Sequence, residues 1–68
     1  MKFRAKYATR NSKGKEVHRS FQFTVGARYV EGLEDKKEGL RAHAQWILRN
    51  RASYVPGRDV VYAVKEVE

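Results

Sequence analysis

Lys2, Arg4 and Lys6 occupy alternate positions at the start of the chain, with Phe3, Ala5 and Tyr7 between and after them. Ammonium and guanidinium groups attract and hydrogen-bond anionic oxygen, above all phosphate and carboxylate. A period of two is that of a β-strand, whose successive side chains point to opposite faces. The three cations therefore share one face and the apolar residues the other. Arg10, Lys13 and Lys15 follow within the next nine residues, and Arg49, Arg51 and Arg58 form a second basic group. These nine residues are the candidate contacts for nucleic-acid backbone or for an acidic partner.

Other chemistries find little support. The 68 residues include no cysteine, so neither a disulfide framework nor a thiolate metal site is expected. The two histidines, His18 and His43, stand without an H-x-x-x-H pattern, and no metal or cofactor is expected. Ser12, Ser20 and Ser53 lie in no nucleophile elbow, and no pair of carboxylates has a spacing that suggests acid and base roles. Gly14-Lys15 lacks the rest of a phosphate-binding loop and reads as a turn. The chain is expected to be a binding module and no enzyme.

Charge is abundant and unevenly placed. The net charge is +7, and residues 1–20 hold seven Lys and Arg against one acid, Glu16. Residues 41–58 hold Arg41, Arg49, Arg51 and Arg58 with no acid, while Glu31, Glu34, Asp35 and Glu38 cluster between the two regions. A hydrophobic content of 41% is too high for a disordered tail. No apolar run is long enough to span a bilayer. A single soluble domain over residues 1–68, in the cytoplasm of a bacterial or phage-infected cell, is the expectation.

The elements that must position these groups follow from pattern and turn chemistry. Strands are predicted over about Lys2–Arg10 and Lys15–Val25, joined by a three-residue loop of Ser12, Lys13 and Gly14 with the glycine at positive φ. This loop sets Thr9 opposite Val17, Tyr7 opposite Arg19, Ala5 opposite Phe21 and Phe3 opposite Phe23. Aromatic residues then gather on one face, with Lys2, Arg4 and Lys6 opposite Thr24, Gln22 and Ser20 on the other. Gly26–Gly32 reads as a connection. Asp35 and Glu38 have the spacing of a capping box for a helix that fades near Asn50–Ala52, with an earlier start near Glu31 as an alternative. The acids at its start and Arg49 and Arg51 at its end also suit the helix dipole.

Leu33, Leu40, Ala44, Ile47 and Leu48 form the apolar stripe of that helix. Trp46 lies off the stripe, either over the flank of the core or as an exposed protein contact. Pro56-Gly57 marks a turn before a third strand, Asp59–Val67. Both parities of that strand are apolar; Val60, Tyr62 and Val64 are assigned to the helix side, and Val61, Ala63 and Lys65 to the open face. The expected fold is α+β, with order ββαβ and a three-stranded mixed sheet of strand order 2-1-3. One helix packs on one face, and the basic strand lies in the middle.

Phe3 and Ala5, Phe23 and Val25, then Leu40, Ala44 and Trp46, and finally Tyr54-Val55-Pro56-Gly57 leading to Val60 and Val64 resemble the small bacteriophage inhibitors of bacterial RNA polymerase. The hairpin and helix are longer here, the charge is more positive, and no arginine is matched to a family position. The resemblance implies a ββαβ host-takeover protein that contacts a polymerase. The residues themselves point first to DNA or RNA backbone and second to an acidic protein surface.

Overall fold

The computed structural model describes residues 1–67. Asn11 organises the first turn: its side-chain oxygen accepts from the backbone N–H of Lys13 at 2.9 Å and of Lys15 at 3.0 Å. Gly14 follows with φ +78°, in the left-handed region that glycine adopts without steric cost. Strands β1 (Lys2–Arg10) and β2 (Glu16–Thr24) pair antiparallel from Lys2 opposite Thr24 to Arg10 opposite Glu16, the register predicted from the sequence. Phe3 stacks on Phe23 across this pair, with ring centroids 5.7 Å apart. Thr9 and Val17, the last inward-facing pair before the turn, are only half-buried, because the hairpin tip outreaches the helices.

Two helices follow where one was expected. The short α1 (Ala27–Glu31) forms within the predicted connection, and its Val30 is buried in the core. The second, α2 (Lys36–Arg49), begins at the predicted cap, where the Asp35 carboxylate accepts from the Glu38 N–H at 3.2 Å. The earlier start near Glu31 is not used. Leu40, Ala44 and Leu48 are buried against Phe3, Ala5, Tyr7 and Phe23, with Leu33 and Ile47 packed at the margin. Gly39 lies in the first turn of α2 because Leu33 covers it: a Cβ there would come within 2.7 Å of the Leu33 side chain.

Strand β3 (Val60–Val67) pairs with the free edge of β1 and completes the order β2-β1-β3. Every pairing is antiparallel, so the mixed sheet expected from the sequence is corrected. The crossover through α2 carries the chain back to the hairpin-turn end of the sheet, where Val60 lies opposite Ala8, and β3 therefore runs with β2 and against the central β1. The facing of β3 needs a second correction. Its register shifts between Lys6 and Tyr7, which pair with Ala63 and Val61, leaving Tyr62 as an extra residue. This β-bulge reverses the parity of the strand. Val61 enters the core at 1% exposure, whereas Val60 and Tyr62, assigned to the helix side, are 45% and 48% exposed. Beyond the bulge the expected facing holds, with Ala63 and Lys65 level with Lys6 and Arg4 and Val64 packed on the core.

Gln45 of α2 fixes the start of β3. Its amide donates to the Asp59 carbonyl at 3.0 Å and accepts from the Val61 N–H at 2.8 Å. The parity reversal gives a direct test: Val61→Ala is expected to cost about 2 kcal/mol in urea unfolding, and Val60→Ala less than about 0.5 kcal/mol. Equal losses at the two positions would contradict the bulge.

Candidate nucleic-acid interface

Because both helices lie on the Phe3–Ala5–Tyr7 side, the opposite face of the sheet is open. Lys2, Arg4 and Lys6 stand along its central strand at intervals of about 6.8 Å, set by the strand rise. Lys65 lies beside Arg4 on β3, so four exposed cations share this face. None of the four has a carboxylate partner among the described residues. Ala63 floors a shallow apolar depression of about 60 Å³ walled by Arg4, Lys6 and Lys65. The aliphatic stems rest there while the charged ends remain in water. Ser20, Gln22 and Thr24 border the row on β2 as exposed uncharged hydrogen-bonding groups.

Tyr62 reaches this face through the bulge. Its hydroxyl lies 3.0 Å from His18 Nδ1, and the two rings meet edge to face at 5.5 Å. The other ring nitrogen of His18 is 3.2 Å from the Glu16 carboxylate, an acid on the same face of the sheet. The face thus has an exposed aromatic ring beside its cations, at a position that the sequence pattern assigns to the helix side.

The other candidate residues are divided. Arg10, Lys13 and Lys15 are exposed at the hairpin tip, where Arg10 donates to the Gly14 carbonyl at 2.8 Å. Arg49 is exposed in the last turn of α2. Arg51 and Arg58 lie on the helix side of the sheet, next to Arg19, which faces Tyr7 across the hairpin and was not among the candidates. Trp46 is 59% exposed and stacks on His43 at 5.9 Å. His43 in turn lies 5.1 Å from Tyr29 and 5.7 Å from Phe23, giving an aromatic strip on the outer side of α2.

Among the described residues, no group of three or more His, Cys, Asp and Glu is placed to hold a metal ion, and no helix is long and apolar enough to cross a membrane. No family model matches the chain, and neither the curated proteins nor the solved structures compared with it give a match.

Asp59 holds the helix-side arginines in place. It is buried, and its two oxygens accept from Arg58 at 2.8 and 3.1 Å, from the Val55 N–H at 3.1 Å and from the Thr9 hydroxyl. Arg58 also donates to the Ser53 carbonyl at 2.8 Å. The Arg58 hydrogen bonds outweigh the effect of burial, and with those from Thr9 and Val55 they hold the Asp59 carboxyl well below the usual carboxylate range. A depressed folded-state pKa stabilises the fold fully above the unfolded value of about 3.9, and this contribution is lost as pH falls through the folded value. Asp59→Asn is expected to cost about 2 kcal/mol at pH 7 in urea unfolding. The gap to the unsubstituted protein should close steadily below about pH 4. A gap independent of pH would contradict the charged network.

Proposed function

We propose that the protein is a non-enzymatic binding module that holds nucleic-acid backbone against its open sheet face, in the cytoplasm of a bacterial or phage-infected cell. The observation that carries this reading is the row of Lys2, Arg4, Lys6 and Lys65 on the open sheet face, none of them paired with a carboxylate among the described residues. Cations at strand spacing suit phosphate groups, and contacts of this kind give affinity without reading sequence. Arg10, Lys13 and Lys15 extend the charge toward the hairpin tip. Tyr62 adds a ring on which an unpaired base can stack.

Four phosphate contacts give a log–log salt slope of about −3.6 on duplex DNA and about −2.8 on a single strand. Fluorescence anisotropy with labelled DNA and RNA at several salt concentrations measures this slope. Reversing Arg4 and Lys6 to Glu removes two contacts; the duplex slope should fall to about −1.8 and affinity by at least roughly tenfold. The urea midpoint should not change, since both side chains are exposed. Undiminished binding by this folded variant would sink the proposal.

A second reading is favoured by the exposed Trp46: a protein partner, such as a host polymerase in keeping with the phage-inhibitor resemblance, docking on the outer side of α2. Large aromatic residues with a neighbouring stacked ring are typical anchors of protein interfaces. Under this reading Trp46→Ala abolishes complex formation while shifting stability by less than about 0.5 kcal/mol. A complex that survives the substitution removes that face from consideration.

A further inference from the structure

On the helix side, where the hairpin tip outreaches α2, a hollow of about 200 Å³ is lined by Arg10, Arg19, Arg51 and Arg58, over Tyr7 and Leu48. Four guanidinium groups converge there against a single carboxylate, Asp59, whose oxygens are already occupied by Arg58, Val55 and Thr9. Arg58 commits its Nε and Nη2 groups to Asp59 and the Ser53 carbonyl, which fixes it in the wall. The others retain free donors. The guanidinium groups of Arg19 and Arg51 have no hydrogen-bond acceptor among the described residues, and that of Arg10 commits only one N–H, to the Gly14 carbonyl.

The free groups are also held in position. The Arg51 guanidinium lies over the Phe21 ring at 4.6 Å, which orients its plane and leaves its N–H edge open. Arg19 projects from β2 two residues before Phe21. Asn11, also on the wall, has its side-chain oxygen fixed by two backbone N–H groups, so its amide nitrogen is left as a donor. A hollow that offers positive charge and free donors, and whose one carboxylate is already fully hydrogen-bonded, is complementary to an oxyanion. Arginine forks match the paired oxygens of phosphate. The volume is below the roughly 300–1,000 Å³ of pockets for drug-sized ligands, but it exceeds the share of about 30 Å³ that one water takes several times over.

We propose that this hollow is a binding site for the phosphate group of a phosphate monoester, gripped by Arg19 and Arg51 and completed by Arg10 and the Asn11 amide. Phosphate of this kind comes either from a small free monoester or from the terminal phosphate of a nucleic-acid strand. The site shares only Arg10 with the basic surface that extends from the open face, and it stands without the row of Lys2, Arg4, Lys6 and Lys65. NMR titration of the full chain at constant ionic strength, with inorganic phosphate and then adenosine 5′-monophosphate, tests it. Saturable shifts of the Arg19 and Arg51 Nε–H and Asn11 side-chain signals are expected. Arg19→Gln with Arg51→Gln should weaken binding by roughly tenfold or more. Arg19→Lys, which keeps the charge but loses the fork, should give an intermediate loss and serves if the double variant does not fold.

An oligonucleotide bearing a 5′-phosphate identifies a strand end as the source if it binds more tightly than its 5′-hydroxyl counterpart and the difference vanishes in the Arg19 variant. Saturable binding of the mononucleotide without that difference identifies a free monoester. Shifts that grow linearly without saturating, or saturable binding unaffected by the Arg19 variants, would overturn the site. The Arg4→Glu, Lys6→Glu variant separates this outcome from failure at the open face, because it leaves the hollow intact.

Discussion

The buried carboxylate of Asp59 is the constraint on which the rest of the arrangement depends. One side chain reaches the central strand through Thr9, the preceding loop through Val55, and Arg58 beside it, while its own carbonyl is held by Gln45 of the long helix. A buried charge is tolerated only when such partners are present, and losing any of them leaves polar groups without compensation. The network therefore fixes where β3 begins relative to both β1 and α2. That starting point, with the bulge that follows, decides that Val61 and not Val60 enters the core.

The distribution of charge follows from the same geometry. Lysine and arginine cannot be buried unpaired, so helices can cover only the Phe3–Ala5–Tyr7 side of β1. Pairing on both edges then puts the cationic row in the middle of the sheet, flanked by uncharged side chains of β2 and by Ala63 and Lys65 of β3. A second set of arginines is left on the helix side only because the hairpin runs on past the end of α2.

The hairpin was legible because three independent signals agreed: alternation in Lys2–Tyr7, a loop with Gly14 where positive φ is needed, and aromatic residues of matching parity in both strands. The start of α2 was legible from Asp35 and Glu38, whose bond is local. The facing of β3 was not, since Val60 to Val64 are apolar at nearly every position and a bulge is set by tertiary pairing. The five-residue α1 is too short for periodicity to reveal, and its stability comes from docking Val30. Among the candidate residues, Lys2, Arg4 and Lys6 could be grouped because one strand carries all three. Arg49, Arg51 and Arg58 were grouped by closeness in the chain, yet their faces depend on how the helix ends and on the loop held by Asp59. Arg19 was overlooked because its parity is that of the core, and only the reach of the hairpin beyond α2 leaves it uncovered.

The arrival of β3 at the edge of β1 bears on how the chain avoids self-association while it folds. The β1–β2 hairpin closes through a short loop, whereas β3 reaches its place only after both helices have been traversed, so closing that loop is the slower entropic step. Until then β1 presents an unpaired edge that another copy could extend. Antiparallel pairing of two such edges with their apolar faces aligned sets the cations of one strand among those of the other. Lys2, Arg4 and Lys6 thus act as gatekeepers of the nascent sheet, and neutralising them would remove this protection against aggregation even in a variant whose finished fold is as stable.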